Sequence, residues 1–87
     1  MNNPPPDKQT RAEVRRIIAA VLKLPARDCF RRKETPEWDS LKNLEVFFAL
    51  EDAFAVEFGE EEFTALDSCE ALARAIAAKR GEELDAP

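Results

Sequence analysis

Apolar residues recur along this chain at helical spacing, and one stretch, residues 37–58, carries more of them than a single buried face needs. At roughly 100° per residue, its apolar positions sort onto two sides of one helix. Val46, Phe47, Leu50 and Phe54 form an arc suited to a core, whereas Leu41, Leu44 and Phe48 lie on the side that also holds Ser40. Glu45, Glu51 and Asp52 surround that second stripe. An apolar stripe ringed by carboxylates is costly to show to water unless something docks there.

The same periodicity predicts three further elements. A helix opens at Thr10, where Thr10 and Glu13 fit a capping box, and Val14, Ile17, Ile18, Val21 and Leu22 form its apolar face. Arg11, Arg15 and Arg16 are its polar face, and Pro25 ends it or soon follows its end. Residues 26–38 then lapse into a long loop that Cys29 and Phe30 would anchor to the core. Pro36 keeps Thr35 out of helical conformation, and Trp38 reads as a packing plug that could also cover the helix mouth beside Ser40. Asp39 or Ser40 caps the central helix, which runs to about Ala55, and Gly59 marks the break after Phe58. Residues 60–66 predict a short helix with Phe63 and Leu66 inward. Asp67, Ser68 and Glu70 carry a second capping signature, before a last helix that buries Cys69, Leu72, Ala73 and Ile76 and stops at Gly81. Three substantial helices and a short one must bury their stripes on one another, so the expected fold is all-α, a four-helix bundle. Residues 10–81 form the domain, with tails at 1–9 and 82–87.

Length and charge narrow the function. At 87 residues the chain has room for one domain with a small core. Residues 1–36 hold nine basic and four acidic side chains, residues 37–62 one basic and nine acidic, and residues 63–87 three basic and five acidic. The segment bearing Ser40 is therefore the acidic pole, which repels nucleic acid and anionic lipid and attracts basic protein surfaces. Arg27, Arg31, Arg32 and Lys33 make a basic cluster, read as a solvated loop because no aromatic interleaving beyond Phe30 accompanies it. The chain has no histidine, which excludes an imidazole base and a Ser-His pair, and it has no glycine-rich phosphate loop. An enzyme is not expected. Cys29 and Cys69 stand far apart with no metal-ligand spacing and read as small buried residues. No apolar run spans a membrane and the start lacks signal-peptide features, so a cytoplasmic monomer is expected.

Asp39-Ser40-Leu41, followed by Glu45 and the LEDAF run at residues 50–54, resembles the acyl carrier protein family over about residues 10–80. Glu37-Trp38 replaces the glycine usual just before that motif. The resemblance implies a helical bundle with a short third helix, and phosphopantetheine carried on Ser40 with Asp39 and Leu41 flanking it. A phosphopantetheinyl transferase would attach the arm from coenzyme A with a divalent cation, and the arm's thiol would hold acyl or aminoacyl cargo as a thioester. Partners would be loading ligases and synthase or transferase enzymes of fatty acid, polyketide or nonribosomal-type biosynthesis. They would dock by basic patches on Glu45, Glu51 and Asp52, with Leu44 and Phe48 as apolar contacts.

Other readings stay open on the residues alone. A D-S-L tripeptide is by itself ordinary helix capping. An unmodified helical adaptor could use the same stripe as a groove for a partner helix, and an RNA-binding protein could be built on the basic first half. For a carrier, the crowding of Phe47, Phe54, Phe58 and Phe63 favours short or aminoacyl cargo over a long acyl chain.

Overall fold

The computed structural model describes residues 8–25 and 31–81. Four helices follow one another there: α1 (Lys8–Leu22), α2 (Ser40–Phe54), α3 (Glu60–Ala65) and α4 (Cys69–Arg80), with a 3-10 turn at Arg32–Glu34. Among the described residues no strand forms beyond an isolated antiparallel bridge between Arg31 and Ser68. No helix there is long and apolar enough to cross a membrane. The predicted helical bundle is thus the architecture found. Residues 1–7, Arg27, Cys29, Phe30 and the tail from residue 82 lie outside the described residues.

One core joins the long helices. Val14, Ile17, Ile18 and Leu22 of α1 meet Val46, Phe47 and Leu50 of α2 and Leu72, Ala73 and Ile76 of α4. Cys69 is buried with them. Each large side chain fully withdrawn from water contributes about 1.5–3 kcal/mol before entropy is charged against it. Helix α1 lies against both α2 and α4, whereas α3 rests on α2. Aromatic rings make that last contact, since Phe47 meets Phe63 and Phe58 edge-on, each at 4.8 Å between centroids.

The helix ends depart from expectation in two places, the start of α1 and the reversal after α2. Thr10 does not cap α1: the helix already includes Lys8, so Thr10 lies within it and is buried. Glu13, freed from that capping box, pairs with Arg16 one turn ahead. At the far end Lys23 takes the left-handed conformation (φ 60°), and the Leu24 N–H reaches the Ala19 carbonyl at 2.9 Å, just before Pro25. Helix α2 stops near Ala55 as predicted, but Ala55 itself makes the reversal (φ 56°), not Gly59. Gly59 has an ordinary φ of −84° and opens α3, its N–H donating to Glu62 Oε1 at 2.7 Å. Arg11 is more than a polar-face residue, because its guanidinium crosses to Glu70 on α4 at 2.8 Å. Helix α4 follows its sequence signals: the Ser68 hydroxyl accepts the Ala71 N–H at 3.1 Å, and Gly81 (φ 73°) closes the helix.

Candidate functional site

The mouth of α2 is built by Asp39. Its backbone is extended (φ −89°, ψ −171°) and its carboxylate accepts the Lys42 N–H at 2.9 Å. A carboxylate there satisfies an orphan donor and meets the positive end of the helix dipole. Ser40 is thereby relieved of capping. It becomes the first helical residue, exposed to solvent. The N–H groups of Ser40 and Leu41 have no carbonyl a turn behind them within the helix, so donors open beside that hydroxyl.

Along the face that starts at Ser40, Leu41, Leu44 and Phe48 remain 66%, 40% and 57% exposed, while Val46, Phe47 and Leu50 on the opposite arc are fully buried. The two-sided sorting of this helix holds, and the second stripe does face water. Glu45 and Asp52 are exposed beside it, with Glu45 joined to Lys42 at 3.2 Å. Glu51 has a different occupation. It is half-buried, and its carboxylate accepts the Phe58 N–H at 2.9 Å, fastening the connection from α2 to α3. The charged ring therefore has two carboxylates open to solvent and one engaged in the fold, and the exposed Glu60 and Glu61 at the start of α3 extend the acidic pole.

Behind the mouth, the segment from Arg31 to Trp38 is an ordered turn and not a slack loop. The Arg32 N–H reaches the Asp67 carbonyl at 2.8 Å, the Thr35 hydroxyl donates to the Arg31 carbonyl at 2.7 Å, and the Trp38 N–H donates to the Thr35 carbonyl at 2.9 Å. Trp38 is buried, as a packing plug should be, at 2% exposure. Its Nε1–H donates to Asn43 Oδ1 at 2.9 Å, and Asn43 Nδ2 donates onward to the Phe63 carbonyl at 2.8 Å. Sequence reasoning passed over Asn43. The signal was present: a lone amide on the apolar arc of α2, and a buried indole that needs an acceptor. Arg32 was likewise read only as part of a solvated cluster, yet its Nε–H donates to the Trp38 carbonyl at 3.2 Å.

A phosphopantetheine arm fits this mouth on chemical grounds. The hydroxyl is accessible, and a phosphodiester on it would find free backbone donors and the positive dipole end of a fifteen-residue helix.

No protein-family model and no solved structure matches the chain. It is similar to Acyl carrier protein 3 of Ralstonia nicotianae, with 39% identity over 71 residues, which cover 76% of this chain and 79% of that protein. With the D-S-L motif at the mouth of the second helix and a bundle of the expected order, that degree of identity over most of both chains means that this chain belongs to the acyl carrier protein family, a family of carriers and not of catalysts.

Proposed function

We propose that Ser40 carries phosphopantetheine and that the chain delivers thioester-bound cargo to biosynthetic enzymes. The observation that supports this best is the division of labour at the mouth of α2. Asp39 takes the cap, which leaves the Ser40 hydroxyl exposed beside an exposed apolar stripe. Were Ser40 the cap, its hydroxyl would be engaged with the backbone and the motif would be spent on helix initiation.

Attachment by a transferase forms the bond from Ser40 Oγ to phosphorus and breaks a bond of the coenzyme A pyrophosphate. The nucleotide leaves, and the hydroxyl proton passes to the transferase. When bound, the arm supplies a terminal thiol that retains cargo covalently yet releases it to a nucleophile. The chain's own residues hold the mouth, present the docking face and raise the effective concentration of cargo at a docked enzyme. Glu45 and Asp52 would steer basic partner surfaces, Leu41, Leu44 and Phe48 would supply the apolar contact, and Glu51 would act chiefly by holding the turn beneath them.

The edge-on stack of Phe47 with Phe58 and Phe63 supports short or aminoacyl cargo, because it fills the space beside α2 that a long chain would enter. A solution or crystal structure of the long-chain-loaded protein with the chain threaded between the helices would overturn that preference.

Intact mass after incubation with coenzyme A, Mg²⁺ and a broad-specificity transferase tests the attachment. The expected outcome is one arm gained by the parent and none by Ser40→Ala. No gain in either protein would leave the unmodified adaptor as the better reading.

A further inference from the structure

Asn43 is the one side-chain amide on α2, it is buried, and it is shared by three segments that meet at the mouth. Trp38 stands two residues before Ser40, and Asn43 stands on the same first turn of α2. The third segment is α3, through the carbonyl of Phe63, whose ring packs on Phe47. Both bonds have ordinary lengths, and with Asn43 at 5% exposure and Trp38 at 2% the bond between them is buried, while the one to the Phe63 carbonyl is part-buried. A buried polar link of this kind specifies a single arrangement, because every alternative leaves a donor or acceptor unpaired. Apolar packing alone would let the mouth and the short α3, whose six residues form no stable helix by themselves, shift independently.

We propose that Asn43 is a positioning residue: the Trp38–Asn43–Phe63 clasp locks the approach to Ser40 to α3, so that the serine is presented to the arm-transferring enzyme in one preset geometry. The proposal rests on the carrier reading. Asn43 itself need touch neither the arm nor the transferase. Without the clasp the transferase must order the mouth as it binds, and that cost falls on association and not on the chemical step.

The test is steady-state kinetics of arm transfer at a temperature where every variant is folded, using coenzyme A, a broad-specificity transferase and the full chain. Trp38→Phe keeps an aromatic ring in the core but deletes the Nε1 donor together with part of the indole's volume, a packing loss that the Ile76→Val control brackets; Asn43→Leu removes both links. Ile76→Val, in α4 and away from the mouth, is the control for lost stability alone. The expected result is a rise in KM for the carrier of about fivefold or more in the two clasp variants, with kcat within about twofold and Ile76→Val unchanged. Hydrogen exchange on the unmodified protein gives a second readout: the amides of Lys42 at the mouth and Leu66 at the end of α3 should both exchange faster in Trp38→Phe.

A parent that accepts the arm while Trp38→Phe matches it in KM overturns the clasp and leaves the carrier reading intact. Faster exchange at Leu66 alone overturns the coupling in the same way. A parent that takes no arm overturns both. Should Asn43→Leu fail to fold, Trp38→Phe carries the comparison.

Discussion

At the scale of single residues, neighbours with similar chemistry hold different tasks. Asp39 and Ser40 are both good capping residues, yet only Asp39 lies outside the helix with its side chain on the Lys42 N–H. Asp39→Ala should therefore cost about 1 kcal/mol in a urea titration, whereas Ser40→Ala should stay within about 0.5 kcal/mol of the parent. Equal losses would mean that the serine shares the cap. A comparable split runs through the acidic ring. Glu51 and Asp52 are adjacent in sequence, but Glu51 fastens the Phe58 N–H while Asp52 stays exposed. A scan of docking residues must separate the two, because Glu51→Ala damages the turn as well as the surface.

At the scale of elements, the helix ends show how packing overrules propensity. Ala55 favours helix, yet it sits at φ 56° where α2 ends, and Lys23 does the same at the end of α1. Phe58 must turn back into the core against Phe47, and Leu24 packs partly buried beside α1, so the chain reverses where burial demands it. Both positions should prefer glycine. Ala55→Gly is expected to stabilise the protein by about 0.5 kcal/mol or more, relief of the left-handed strain exceeding the entropy that glycine adds to the unfolded chain. A lower melting temperature in calorimetry would contradict this. Gly59, by contrast, has no positive φ, and a methyl group there would meet Glu61 Oε1 at 3.4 Å, on a flexible exposed side chain, so Gly59→Ala should be tolerated.

At the scale of the whole molecule, two ion-pair clusters tie distant parts of the chain and set its response to acid. The Arg11 guanidinium hydrogen-bonded to Glu70 holds that carboxyl below its ordinary value, against the opposing effect of burial, and Arg74 adds to the lowering. For Glu62, burial acts to raise the value, but the Gly59 N–H and Lys79 together outweigh it, so the net direction is again downward. A carboxyl depressed in the folded state contributes stability that is present above its unfolded value of about 4.3 and is lost as pH falls through the lower folded value. The melting temperature should accordingly be flat from neutral pH to about 5 and decline below about 4.3, with a shallower acid decline in Glu70→Gln. An acid limb of unchanged slope in that variant would remove Glu70 from the account. The pairs are partly solvent-exposed and screened by water, so the expected effect is modest.

What was legible in the sequence is what periodicity and local chemistry specify. The four helices, the two-sided character of α2, the Ser68 and Gly81 caps and the exposure of Leu41, Leu44 and Phe48 all follow from which residues lie on which side of a 3.6-residue repeat. The D-S-L motif singled out Ser40 for a different reason, its resemblance to the acyl carrier protein family, since the tripeptide alone is ordinary capping. Tertiary structure alone decided which of Asp39 and Ser40 serves as the cap, that Thr10 lies inside α1, which residue reverses the chain after α2, and that Glu51, Arg11 and Asn43 reach across to other segments. For Arg11 and Asn43 the partners lie far away in the chain, at Glu70 and the Phe63 carbonyl, and become neighbours only once the shared core has closed.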